Sequence, residues 1–266
     1  MYPDLVGRNP KGEAESVRLG LDRNPRGLRR YLRRIGSPVL SSPDSTLINS
    51  AHADQILELM SRLIDYRSQD VRQRLENVCR AASMLHIDVL LLIYHFAKVC
   101  AGNILEIGPY IGGSTIAAAS GARESGTRKK IVTIEAGGRL KHRRLPSRNI
   151  IKDLKKNLAH FGVLEDVIVI EGRSSDESTK SAVRQIFGSG EVGLFMFDAD
   201  GNPRRDLNYY GDLLVNHCWI TIDDYFGPGM KAAPIRAQVD EMVAAGRLVP
   251  FGYYGWSTWI GQWQGK

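Results

Sequence analysis

Between residues 50 and 101 apolar side chains recur three and four apart. Ile56, Leu59, Met60 and Leu63 do so, then Leu75, Val78, Cys79 and Ala82, then the segment 86–100. That spacing places them on one face of a helix, so the region predicts successive amphipathic helices. After residue 102 the rhythm changes. Short apolar runs rich in β-branched residues appear at 103–107 (NILEI), 130–135 (KIVTIE), 166–170 (DVIVI), 193–197 (GLFMF) and 218–222 (CWITI). Helical stretches at 113–122, 147–161, 176–187, 206–216 and 232–245 separate them. Strands apolar on both faces, alternating with helices, predict an α/β fold with a doubly wound, mostly parallel sheet. The tail 247–264 alternates aromatic and polar residues and predicts an antiparallel hairpin turning near Tyr254-Gly255. Tyr253, Tyr254, Trp256 and Trp259 are expected to fill its core rather than stack on a ligand ring. Residues 1–45 are basic and broken by five prolines, Pro3 to Pro43, with one short helix expected around 13–34. The pattern thus divides into a basic helical extension over 1–85 and an α/β domain over 86–266.

The first strand ends in an acid and runs into a glycine turn: LEIGPYIGGST, residues 105–115. In doubly wound sheets ligands bind at the carboxyl ends of the strands, where the strand order reverses. Gly108, Gly112 and Gly113 permit positive φ and close approach of the backbone to a ligand. The pattern is ExGxxxGG rather than the GxGxxG of dinucleotide sites. Tyr110 stands in place of the second glycine and would crowd a pyrophosphate. Glu106 repels phosphate but suits an ammonium or a sulfonium-bearing amino acid. Glu135, ending the second strand, is placed to accept hydrogen bonds from ribose hydroxyls. A ribose with a cationic amino-acid tail describes S-adenosylmethionine better than NAD. Two ordinary strand-end acids would be the plainer explanation.

Five motifs carry a resemblance: LEIGPYIGGST (105–115), TIEAG (133–137), IEGRSSDE (170–177), LFMFDAD (194–200) and ITIDDY (220–225). In their order and spacing the chain resembles class I S-adenosylmethionine-dependent methyltransferases, and within them the divalent-metal-dependent O-methyltransferases. The likeness spans about 103–226; residues 1–85 carry none. It implies a seven-stranded Rossmann-like sheet and an enzyme that methylates a hydroxyl on a small molecule such as a natural product, sugar or phenol. It also implies that the Gly108–Gly112 backbone around Tyr110 contacts the methionine moiety, with Ser114 nearby. Glu135 would bind the ribose, Ser174 and Ser175 would sit at the adenine edge, and Asp176 would open the next helix. Asp198, Asp223 and Asp224 occupy the positions where this family holds a divalent ion.

Elementary electrostatics supports the last point. Asp198 follows LFMF and Asp223-Asp224 follow CWITI. Adjacent parallel strands bring their ends to roughly 5 Å. Three carboxylates there repel one another unless a cation or a proton intervenes, and oxygen-only ligands suit Mg²⁺. The alternative is a metal-free site in which Asp198 orients a substrate hydroxyl. Asp200 is expected to be a turn residue. The chemistry would be in-line displacement at the sulfonium methyl, helped by proximity and by a lowered pKa of the attacking hydroxyl. Relatives carry a lysine or histidine shortly after the first metal aspartate, where this chain has Gly201 and Asn202. Lys231 and His142, with Lys141, are therefore the candidate proton acceptors beside Asp198, and His217 is expected to be structural. The basic loop 139–148 and the segment 225–231 are expected to border the substrate pocket.

The 266 residues, 43% hydrophobic and 24% charged, suffice for one globular α/β domain with an appendage. The net charge of +7 is concentrated at 26–34, 128–130 and 139–148. No aromatic RNA-binding signature accompanies these runs, and FDADGNP lacks the (D/N)PP(Y/F) motif of amino-methylating nucleic-acid enzymes, so they are expected to be solvated faces. Cys79, Cys100 and Cys218 form no CxxC pair and predict buried thiols in a reducing compartment. The N-terminus lacks the apolar core of a signal peptide. The run 89–99 is about half a membrane span and contains His95 and Lys98. The expectation is a cytoplasmic protein with a small-molecule partner, no membrane or nucleic-acid partner, and helices at 50–101 serving as a lid or as the face of a homo-oligomer. The rival functions are an NAD-dependent oxidoreductase, opposed by Tyr110 and Glu106, and a non-catalytic cofactor-binding protein, kept open by the missing family base.

Overall fold

The amphipathic periodicity of 50–101 becomes three helices: α1 (Ser50–Arg67), α2 (Asp70–Ala82) and α3 (Ile87–Val99). The computed structural model describes residues 50–227 and 229–265. The helix expected around 13–34 and the basic run 26–34 lie outside the described residues. Helix α3 is apolar around most of its circumference because Val89 to Tyr94, Phe96 and Ala97 are all buried. Its N-terminus is capped by His86, whose Nδ1 accepts the Asp88 N–H at 3.2 Å.

The β-branched runs form β1 (Asn103–Ile107), β2 (Ile131–Glu135), β3 (Val167–Glu171), β4 (Val192–Phe197) and β5 (Leu214–Ile222). The aromatic tail supplies β6 (Leu248–Tyr254) and β7 (Thr258–Trp263). The seven strands are ordered β3-β2-β1-β4-β5-β7-β6. The first five run parallel, and β7 is antiparallel to both β5 and β6. The order reverses between β1 and β4, which opens a crevice at their carboxyl ends.

Alternate residues of each strand serve opposite layers. Ile104, Leu194 and Met196 pack with α1–α3, α4 (Gly113–Arg123) and α5 (Ile150–His160). Leu105, Ile107, Phe195 and Phe197 pack with α6 (Glu177–Ile186), α7 (Pro203–Tyr210) and α8 (Ala232–Ala244). From Ala51 onward the chain is one compact unit, so α1 and α2 share the core of the sheet domain.

Two expectations are corrected. The helix expected over 206–216 starts at Pro203 and ends at Tyr210, and β5 begins at Leu214. Leu214 pairs with Val192 and Trp219 with Leu194, so residues 215–218 bulge out opposite Gly193, with His217 at φ 61°. A bulge breaks the alternation by which a strand is read. The tail does form the expected hairpin, and Trp259 is buried in it. Tyr253 and Trp256 are 52% and 71% exposed, contrary to their expected core role. Strand β6 is the sheet edge, and Trp256 lies on the turn against the His86 ring at 4.9 Å. The thiols are all free; Cys100 and Cys218 are buried and Cys79 half-buried. Among the described residues no single helix is long and apolar enough to cross a membrane.

Candidate functional site

Register brings the chemistry to one edge. Ile107 pairs with Phe197, and Phe197 with Ile222, so β1, β4 and β5 end level. The next residues, Gly108, Asp198 and Asp223, emerge side by side. Gly108 has φ 83°, and a Cβ there would run into the Asp198 carbonyl. Its glycine character therefore lets the chain's own β4 terminus come close, a need that the sequence suggested only for a ligand. Gly112 is left-handed at the N-cap of α4, and Tyr110 adopts φ 53°, a conformation few side chains take.

Glu106, 2% exposed, points to the α4 side of the sheet. It accepts a hydrogen bond from Ser114 Oγ, one from Thr115 Oγ1 at 2.5 Å and one from Thr133 Oγ1 at 2.9 Å. Burial pushes its acid up, the three hydroxyls pull it down, and nearby Glu135 adds a small upward push. Glu135 accepts the backbone N–H of Tyr110 at 3.1 Å and of Gly137 at 2.8 Å. It thereby fixes the strained Tyr110 turn, and burial raises its acid against the pull of those amides.

Ser174, 5% exposed, donates to Asp206 Oδ1 at 2.9 Å, while Ser175 is half-buried. The fully buried Asp206 also receives Arg205 Nε at 3.1 Å and Nη2 at 3.0 Å. Arg205 reaches on to Asp200 at 2.7 Å. Asp200 is thus half of an ion pair on the turn after β4. One guanidinium ties the β3–α6 loop, which carries Ser174, to the β4–α7 loop, which carries Asp198.

The acids converge. Asp198, Asp223 and Asp224 each offer an oxygen, and these lie within 4.8 Å of one another. Asp223 Oδ1 is oriented by Thr258 Oγ1 at 2.6 Å and Ser257 Oγ at 3.2 Å. Asp224 is held at φ 59°. Burial first, and the charges of Asp223 and Asp224 next, push the Asp198 acid well above the usual range. Burial and Asp223 raise Asp224, opposed by Lys231. Lys231 Nζ stands 3.9 Å from Asp224 Oδ2. Its Cβ lies 3.6 Å from the place where a Gly201 side chain would start. A lysine from the start of α8 therefore passes over the Gly201 turn that follows Asp198.

His142 is not brought to the acids by any contact. Its Nδ1 accepts the N–H of Arg144 and of Leu145, at 3.3 and 3.1 Å, within its own loop. Lys141 is exposed on that loop, and His217 is exposed on the β5 bulge. A cleft of about 570 Å³ lies under α1 among Arg62, Tyr66, His95 and Trp219, apart from these acids. The cavity among Glu106, Ser114 and Asp198 is about 10 Å³, the size of one water. Convergent polar chemistry, not volume, marks the site.

Solved structures share this architecture. One is TomG, an O-methyltransferase of Streptomyces achromogenes involved in tomaymycin synthesis and solved with S-adenosylmethionine. It aligns at TM-score 0.53 and 16% identity over 74% of this chain and 91% of that one. A Klebsiella pneumoniae protein described as a candidate O-methyltransferase aligns at 0.51 and 23%, over 75% and 91%. A Staphylococcus aureus protein described as a candidate caffeoyl-CoA O-methyltransferase aligns at 0.53 and 15%, over 78% and 99%. The fold is that of the O-methyltransferases. No family model matches the sequence, and no curated protein does.

Sequence reasoning missed the hydroxyl cage on Glu106, although Thr133 interrupts an otherwise apolar run. It missed Arg205 and Asp206, adjacent opposite charges in the RRD run, and it missed the Thr258 and Ser257 hydroxyls that aim Asp223.

Proposed function

We propose that this chain is an S-adenosylmethionine-dependent O-methyltransferase that acts on a hydroxyl of a small molecule with Mg²⁺ assistance. One observation carries the reading: three carboxylates gather within 4.8 Å at the edge where Gly108 and Glu106 also emerge. The donor set fits the groups invoked. Three converging oxygen ligands, with the acids of Asp198 and Asp224 raised, call for a hard cation. Glu106, Glu135 and the Gly108–Gly112 backbone form an anionic, phosphate-repelling cradle. Asp198, Asp223 and Asp224 would hold the ion, which would lower the pKa of a coordinated hydroxyl. Bound S-adenosylmethionine supplies an electrophilic methyl on sulfur.

The chain's own residues do the rest. The Gly108–Tyr110 backbone, with Ser114, takes the methionine end. Glu135 takes the ribose, and Ser174 and Ser175 flank the adenine. Asp198 orients the acceptor hydroxyl. Lys231 is favoured over His142 to take the proton, because it already faces Asp224 while the His142 Nδ1 is engaged in its loop. Incubation with S-adenosylmethionine and a panel of vicinal diols, with Mg²⁺ or EDTA, tests the reading by mass spectrometry. A product heavier by one methyl, lost in EDTA and in Asp223→Ala, supports it. Cofactor binding without transfer to any diol favours a non-catalytic protein, and NADH binding in its place favours an oxidoreductase.

A further inference from the structure

The loop joining β2 to α5 carries charge of one sign. From Ala136 to Lys152 it holds Arg139, Lys141, Arg143, Arg144, Arg148 and Lys152 and not one acid. It is a built arch. Leu140 and Ser147 exchange both backbone hydrogen bonds at 2.9 Å, and Ile150 N–H donates to Gly138 at 3.1 Å. The His142 ring closes the arch from inside through its two backbone hydrogen bonds.

Its anchors set it over the site. Tyr110 Oη donates to the Leu145 carbonyl at 2.5 Å, so the arch crosses the cofactor turn. Arg144 Nη2 donates to the Ser83 carbonyl, on the link between α2 and α3. Two residues on, Leu85 lines the cavity shared by Glu106, Ser114 and Asp198.

Among the described residues these charges face no counter-ion. Many arginines elsewhere are ion-paired, as Arg67 is with Asp88, Arg123 with Asp166, Arg184 with Asp212 and Arg204 with Glu241. Single unpaired ones such as Arg128 and Arg173 are scattered, whereas the arch gathers its cations on one short loop. Among the described residues no carboxylate lies within 4.0 Å of Arg139, Lys141, Arg143, Arg148 or Lys152. The adjoining acid, Asp153, accepts Ser147 Oγ at 2.6 Å. A fixed arch of unneutralised cations repels itself and is relieved by an anion. The crevice is therefore polar from end to end, with acids at β4 and β5 and cations along the rim beyond β2. A molecule bearing both an oxyanion and a hydroxyl fits such a field in one orientation.

We propose that the methyl acceptor carries an oxyanion group, a phosphate or a carboxylate, which Arg139, Arg143 and their neighbours on this arch hold while its hydroxyl faces the acids. The acceptor's role rests on the methyltransferase reading; the anion site does not.

The test uses the full chain saturated with S-adenosylhomocysteine, titrated calorimetrically with pyrophosphate in EDTA at low and at physiological salt. The wild type is expected to bind below about 1 mM. Arg139→Glu/Arg143→Glu should weaken binding by at least about tenfold, as two charge-assisted contacts become repulsive. A charge-matched control, Arg128→Glu/Lys130→Glu, on exposed cations just before the amino end of β2, should change it less than about threefold. Matched catechols with and without a carboxylate give a second readout. The KM advantage of the anionic one should vanish in the arch variant. The proposal is overturned if a wild type that binds the cofactor product gives no pyrophosphate heat, or if the control loses as much as the arch variant. A twenty-nucleotide RNA binding more than about a hundredfold tighter than pyrophosphate would overturn it in favour of a nucleic-acid surface. Pyrophosphate binding without any S-adenosylhomocysteine binding would sink the methyltransferase reading and with it the acceptor's role, while the anion site would stand.

Discussion

Replacing Asp198 by Asn should make the metal-free protein more stable and the Mg²⁺-loaded protein relatively less so. The acid oxygens of Asp198, Asp223 and Asp224 lie within 4.8 Å of one another. At that distance two unit charges in an effective dielectric of about 20 repel by about 3 kcal/mol. Lys231, 3.9 Å from Asp224, offsets part of this, and the Asp224 side chain is 43% exposed. Screening therefore leaves about 1–2 kcal/mol to be recovered, or roughly 2–8 °C in melting temperature for a domain of this size. The sign depends on pH. The Asp198 acid is raised in the fold, so its ionisation weakens the folded state as pH rises above the ordinary aspartate range. The advantage of Asp198→Asn should be full at pH 7.5 and shrink towards pH 4. Melting curves in EDTA at both pH values, then at pH 7.5 in excess Mg²⁺, would read it. Saturation at about a hundred times Kd should stabilise the wild type by about 2.7 kcal/mol and the variant by far less. A variant that melts lower than wild type in EDTA at pH 7.5, or a wild type indifferent to Mg²⁺, refutes the electrostatic account.

Other expectations follow from single contacts. Arg205→Met strands the fully buried Asp206 and should lower urea stability by about 3 kcal/mol while weakening S-adenosylhomocysteine binding; unchanged affinity would separate Arg205 from the cofactor loop. Gly108→Ala must hold a non-glycine residue at φ 83° against the Asp198 carbonyl, so denaturant unfolding should show a loss of at least roughly 1–3 kcal/mol. Lys231→Met should lower kcat by about a hundredfold and leave S-adenosylhomocysteine affinity unchanged, whereas equal loss of both would make Lys231 a binding residue. Burial lowers the His95 pKa from 6.5 to about 4, so stability present above pH 6.5 should drain away as pH falls towards 4. His95→Gln should flatten that slope in pH-dependent melting; an unchanged slope places the titration elsewhere.

Much of the architecture was legible because its signals are local. NILEI, KIVTIE, DVIVI and GLFMF each announce a strand by apolar content, and their strand-end acids and glycines land where the sheet order reverses. The β5 start was not legible, because the bulge at 215–218 breaks the alternation and resembles the end of a helix. Trp259 and Trp256 look alike in the sequence, yet strand pairing buries one and leaves the other on a turn. At the site, residue type announced Asp198, Asp223 and Asp224. The partners that tune them come from distant segments, as Thr258 does for Asp223 and Lys231 for Asp224, and only the fold brings them together. Gly108 was flagged for a ligand and turns out to be required by the chain itself.

The most direct test of the central claim is calorimetric titration of the full chain with S-adenosylhomocysteine, once in Mg²⁺ and once in EDTA. The account predicts one site with a dissociation constant on the order of micromolar in both, and a separate Mg²⁺ heat that Asp223→Ala abolishes. Absence of binding at millimolar S-adenosylhomocysteine would contradict it.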